Sequence, residues 1–158
     1  MLLLRSIFFT FLLPGTVTVL IPYWILSSRD FLSQGHSFRY FGVPLMIVGA
    51  AGLLCCIWQF FSEGRGTLAP VDAPKHLVVR GLYRYVRNPM YVSVLTILIG
   101  EAIFFMSGAI ILEAGIFVVL FYLFVVFYEE PTLRLQFGES YEEYTRKVGR
   151  WIPRLRGN

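Results

Sequence analysis

Two adjacent carboxylates, Glu129 and Glu130, close an apolar stretch of the 158-residue chain, and Pro131 follows at once. Like charges side by side repel. The pattern also predicts that the preceding helix ends there, where its dipole is negative as well. Such a pair calls for a cation: either arginines of a neighbouring segment or a positively charged ligand. A supply of arginine stands upstream in the block HLVVRGLYRYVRNPMY, residues 76–91. Tyrosines and arginines ahead of an apolar run can simply anchor a helix at the headgroups. Gly81 and the pair Asn88-Pro89 add backbone constraints that free amides for a ligand.

Glu101 and Glu113 are carboxyls set within apolar sequence. A carboxylate inside a membrane is costly unless it is paired, neutral or facing a cavity. Glu101 is therefore expected either as a protonated group hydrogen-bonded to a neighbouring helix or as part of a substrate cavity. Glu113 is expected to reach the far interface. No metal site is expected: His36 and His76 are distant, and Cys55-Cys56 are adjacent in an apolar run, which fits neither a disulfide framework nor a CxxC site. No GxSxG, Walker or GxGxxG motif is present, so acyl hydrolysis, phosphate-loop and Rossmann chemistry have no support.

The elements that must carry these groups follow from composition. Apolar residues make up 56% of the chain and charged residues 15%, against about 25% in an average soluble protein. Mean hydropathy is +0.65. Both an ordinary soluble globule and a disordered chain are excluded. The pattern predicts an all-α integral membrane protein, a single domain over 1–158. About four transmembrane helices are expected near 7–26, 41–61, 89–106 and 109–128, the last two joined by a turn at Ser107-Gly108. A polar connector, 62–88, and a charged tail, 129–158, complete it. The first apolar run lacks a small-x-small cleavage site and is too long for a signal peptide, so it is expected to be a retained helix.

With four spans, twelve Lys and Arg fall on the side of the termini and the connector, against Arg29 and Arg39 on the other. Both termini are then expected in the cytoplasm, in a bacterial-type inner or plasma membrane. This bias accounts for the net charge of +4 without nucleic acid. In the tail, Glu142–Arg146 and Glu143–Lys147 are favourable i,i+4 pairs, and Phe137, Tyr141, Tyr144 and Trp151 supply an apolar side. An amphipathic helix along the membrane surface, closing over the connector, is expected.

The block at 76–91, followed one helical hairpin later by EEPTLRLQFGESYEEYTRKVGRWIP, resembles the isoprenylcysteine carboxyl methyltransferases and their phospholipid methyltransferase relatives. The resemblance covers about residues 66–153. It implies a small membrane enzyme that binds S-adenosyl-L-methionine (SAM) at the cytoplasmic face without a Rossmann fold. It also implies a lipid or small lipophilic methyl acceptor reached from the bilayer. The positions matching the family's cofactor contacts are Lys75, His76, Leu77, Val78, Tyr83, Asn88, Pro89, Met90, Tyr91 and Glu129. Arg87 and Glu130 are secondary candidates, with Arg87 and Glu129 the candidates for a catalytic role. A sulfonium that also carries an ammonium needs an anionic partner and aromatic walls, which Glu129, Tyr83 and Tyr91 could supply.

Two positions depart from the family pattern. Asn88 stands where eukaryotic members carry histidine. Val125 stands where the prenylcysteine enzymes carry a substrate-contacting arginine, which argues against a prenylcysteine acceptor. A competing reading is an NADPH-dependent membrane reductase of the sterol and steroid type, but the glutamate pair would repel a pyrophosphate. A non-catalytic scaffold is the third; it has no reason to keep two carboxylates against a helix dipole.

Overall fold

A computed structural model describes residues 14–27, 37–59, 62 and 77–154. The described residues form helices and no strand, with one parallel bridge between Val86 and Gly149. Five helices carry the fold: α1, Thr16–Ser27; α2, Ser37–Gln59; α3, Pro89–Phe104; α4, Gly108–Phe137; and α5, Glu139–Lys147. The connector contributes one 3₁₀ turn, Gly81–Arg84.

Of these, α2 with 23 residues and α4 with 30 are long and apolar enough to cross a membrane. The expected third span, 89–106, ends earlier, at Phe104, leaving 16 residues. At 1.5 Å per residue that is about 24 Å, short of the roughly 30 Å hydrocarbon core. Its end is set by Met106, whose φ of 50° leaves the helical region. Ser107 then caps α4 by accepting a hydrogen bond from Ile110 N at 3.4 Å. The turn therefore falls at 105–107, and Gly108, expected in the turn, already opens α4. In the expected first span, residues 7–13 lie outside the described residues.

The tightest seam is between α2 and α3. A Cβ built on Gly42 would lie 2.2 Å from the Gly100 carbonyl oxygen, and one on Gly49 would lie 2.8 Å from that of Ser93. Only residues without side chains allow backbones this close, the usual device where lipid gives helices no hydrophobic reason to associate. Helix α1 lies across the α3–α4 hairpin, and Val17, Val94, Leu98, Ala102, Ile110 and Ala114 form the shared core. Outward faces carry large apolar side chains, among them Ile47, Leu54 and Trp58 of α2 and Ile111, Leu112 and Val119 of α4. Such a continuous exposed apolar surface suits lipid rather than water.

Glu101 and Glu113 are both buried, 8% and 6% exposed. Glu113 is therefore packed inside the protein rather than extended at its surface. Glu101 Oε2 and both Glu113 oxygens make no hydrogen bond among the described residues.

The expected helix end at the glutamate pair is overturned. Helix α4 continues through it to Phe137, by way of a π turn at Val125–Glu129 in which Glu130 N–H donates to Val125 O. Pro131 falls in the first turn after it. Its missing N–H is tolerated there, and Thr132 Oγ1 donates to Tyr128 O at 2.7 Å. The carboxylates therefore sit inside a helix, and the dipole penalty expected for a helix end does not apply. Gly138, with φ 52°, makes the break into α5.

Candidate functional site

The two glutamates face different partners. Glu130 is 4% exposed and takes a two-pronged contact from Arg150, with Nε at 2.7 Å from Oε1 and Nη2 at 3.0 Å from Oε2. Arg87 Nη1 lies 3.0 Å from the same Oε1, close enough for an ion pair but out of line for a hydrogen bond. One carboxylate therefore holds a connector arginine and a tail arginine. The bond to Glu130 holds the Arg150 guanidinium above its ordinary pKa, so the clasp stays charged.

Backbone contacts fasten the same two segments. Arg87 N donates to Gly149 O at 2.8 Å, and the Asn88 side-chain amide donates to Arg150 O at 3.2 Å. Asn88 is buried, and its side chain is engaged with the tail rather than aimed into an open site. Further along, Tyr144 Oη donates to Tyr83 O at 2.7 Å. Tyr141, Tyr144 and Val148 pack with Leu77, Leu133 and Phe137, so the tail closes over the connector as expected. Burial pushes the Tyr83 phenol well above its ordinary pKa, and Cys56, Glu129 and Tyr144 add to it. Burial likewise raises Tyr144, with Tyr141 adding and Arg87 opposing. Both stay protonated, as the bond from Tyr144 to the Tyr83 carbonyl requires of Tyr144.

In the tail itself, Lys147 Nζ meets Glu143 Oε1 at 2.5 Å, the expected i,i+4 pair. Glu142 instead meets Arg134 at 2.8 Å, because the bend at Gly138 swings α5 back beside the end of α4.

Glu129 is different. Its Oε2 accepts a hydrogen bond from Tyr91 Oη at 2.9 Å, and no cation pairs with it among the described residues. Aromatic rings gather around this contact: Tyr91 lies 4.6 Å from Phe121 and 6.3 Å from Trp151, centroid to centroid. Trp151 follows directly on Arg150, so the clasp at Glu130 also sets this ring beside Tyr91. The arrangement is a carboxylate bonded to a tyrosine whose ring packs with two further aromatics, chemistry suited to an organic cation.

Among the expected contact residues, Tyr83, Met90, Tyr91 and Glu129 converge. Val78 packs with Tyr83 and Cys56, with Met90 against them. Pro89 is buried at the start of α3. Leu77 faces the tail, while Arg87, Asn88 and Glu130 belong to the clasp. Lys75 and His76 lie outside the described residues. Phe121, Arg150 and Trp151 were not singled out as site residues. Phe121 and Glu129 are eight residues apart, about 80° round a regular helix. The π turn takes up one residue and brings them to one face.

No curated protein matches the chain. The family model for phospholipid methyltransferases matches residues 37–140, from the start of α2 into α5, and so spans the carboxylate, its tyrosine and Phe121. The chain belongs to the phospholipid methyltransferase family, which makes it a membrane methyltransferase.

Proposed function

We propose that the protein transfers a methyl group from SAM to a lipid or small lipophilic acceptor that enters from the bilayer. The observation that carries this reading is the Glu129 carboxylate, bonded to Tyr91, whose ring packs with Phe121 and Trp151. When bound, SAM supplies a methyl group activated by the positive sulfonium. Glu129 would hold the cationic part of the cofactor by charge and hydrogen bond, and the rings would exclude water while offering their faces to that charge. Tyr91 orients the carboxylate. Lys75, His76, Val78 and Tyr83 of the connector, with Pro89 and Met90 at the start of α3, would line the remainder of the site, while Leu77, Asn88, Arg87 and Glu130 would act through the contacts that fasten the tail.

Catalysis in this arrangement is positioning: acceptor and methyl donor are held in line in a dry site. A carboxylate or thiolate acceptor needs no base; an amine must first lose its proton. The proposed topology is four spans with both termini cytoplasmic, so that the soluble cofactor and the membrane-borne acceptor arrive from different phases.

Incubating the protein with lipid extract and methyl-labelled SAM, followed by mass spectrometry of labelled species, tests this directly. Label in an extractable lipid or small lipophile is expected. Tight SAM binding with no labelled acceptor would sink the transfer reading, and absence of binding would sink the site.

A further inference from the structure

A groove of about 1010 Å³ opens between the connector and α5, apart from the Glu129–Tyr91 contact. Among the described residues assigned to the cofactor Leu77 touches it; Tyr91, Phe121, Glu129 and Trp151 do not. Four basic side chains line it: Arg84 from the connector, Arg146 and Lys147 at the end of α5, and Arg154 beyond. The acid among its lining residues is Glu143, whose carboxylate Lys147 already neutralises at 2.5 Å. Arg154 Nη1 donates to Arg146 O, which draws these two residues together. Three arginines are thus left in excess, Arg84 on the connector side and Arg146 and Arg154 on the tail side.

The connector side also carries apolar surface. Val79 and Tyr85 line it and are well exposed, 42% and 62%. Arg84 and Tyr85 precede Pro89, where α3 begins, by only five and four residues. On the proposed topology this puts the groove at headgroup level on the cytoplasmic side. Its volume is at the top of the range of about 300–1,000 Å³ usual for small-molecule sites. A ligand that fits must be anionic at one end and apolar at the other.

We propose that this groove binds the headgroup of an anionic phospholipid of the cytoplasmic leaflet, the phosphate on Arg84, Arg146 and Arg154, with the glycerol and upper acyl chain over Val79 and Tyr85. The placement rests on the membrane topology proposed above, but the binding chemistry is independent of methyl transfer. Such a lipid would tie connector to tail from outside, beside the clasp that ties them from within.

The test uses the full chain in zwitterionic detergent, with thermal unfolding as readout. Short-chain phosphatidylglycerol is expected to raise Tm saturably, whereas phosphatidylcholine of the same chain length is not. Arg84→Gln and Arg154→Gln should each weaken the phosphatidylglycerol effect about fivefold, which is what about 1 kcal/mol per basic residue at a lipid surface corresponds to. Arg134→Gln, which removes an exposed charge outside the groove, should leave it unchanged. An equal loss in Arg134→Gln would replace the site with diffuse surface charge. Glycerol phosphate acting as strongly as the lipid would make it a soluble phosphate site. Either result overturns the proposal, as does absence of any lipid effect. SAM affinity is measured on the same samples and should not change. A loss of SAM affinity in Arg84→Gln or Arg154→Gln would give the groove to the cofactor and overturn the lipid assignment. Failure of the parent protein to bind SAM would sink the proposed function and leave the lipid result standing.

Discussion

Glu129 and Glu130 are chemically identical neighbours with opposite surroundings, and their substitutions should separate accordingly. Glu129→Gln keeps shape and the bond from Tyr91 but removes the charge. Losing one partner of a partly buried charge-assisted contact costs about 2–5 kcal/mol, roughly 30- to several thousand-fold in affinity. SAM titration by calorimetry should show that loss with Tm nearly unchanged; unchanged affinity would remove Glu129 from the site. Glu130→Gln should do the reverse in kind. It leaves the largely buried Arg87 without its counter-charge, and a loss of about 2–4 kcal/mol in stability is expected, discounted because Arg150 is a third exposed. A Tm equal to the parent's would show that the clasp is not what fastens the tail. The pair and its need for a cation were legible in the sequence. Which glutamate takes the arginines was not, because adjacent helical positions differ by about 100° and only the packed helix fixes the direction each one faces. Trp151 was legible only as part of an apolar side, since its place beside Tyr91 depends on Arg150, bound to a residue twenty positions away.

At the scale of elements, the seam between α2 and α3 is the most exacting feature. Gly49→Ala would place a methyl 2.8 Å from Ser93 O and 2.7 Å from Ile97 Cγ1, forcing the helices apart. A loss of about 1–3 kcal/mol is expected. Gly115→Ala on α4 meets nothing within 4 Å and should be neutral or stabilising by up to about 1 kcal/mol, since alanine is the better helix former. Thermal unfolding of both variants in one detergent checks the contrast, and equal effects would refute the close seam. The helices at Ser37–Gln59 and Pro89–Phe104 were legible from hydropathy, and a break close to Ser107 from its residue types. The continuation of α4 past Glu129 was not: adjacent carboxylates and a proline read as a stop, whereas a π turn and the Thr132 hydroxyl absorb both.

For the whole molecule, the distribution of Lys and Arg makes a topological prediction. Reporter fusions after Asn158 and within 62–88 should both read cytoplasmic, and one near Gln34 should read external. An external signal after Asn158 would mean that α3 and α4, with their 16 and 30 residues, do not form two complete crossings. The short α3 is compatible with crossing if the polar ends of the hairpin lie within the interfacial layer, where local thinning costs only fractions of a kcal/mol per Å.

The π turn also bears on how this helix tolerates insertions and deletions. Closing a backbone ring over five residues instead of four accommodates one residue more than an α-helix would, so the segments on either side keep the faces they would have in a helix one residue shorter. Deleting Val126 should therefore convert the turn to regular α-helix without rotating Glu130 away from Arg150 or α5 away from the connector. By the same phase argument Glu129 keeps its direction toward Tyr91, since seven residues of regular helix after Phe121 return to nearly the same face. A shortened protein that inserts, melts and binds SAM like its parent is the expected result, and lost SAM binding would show that the turn itself shapes the site. The extra residue would then be one that both the fold and the proposed site can spare.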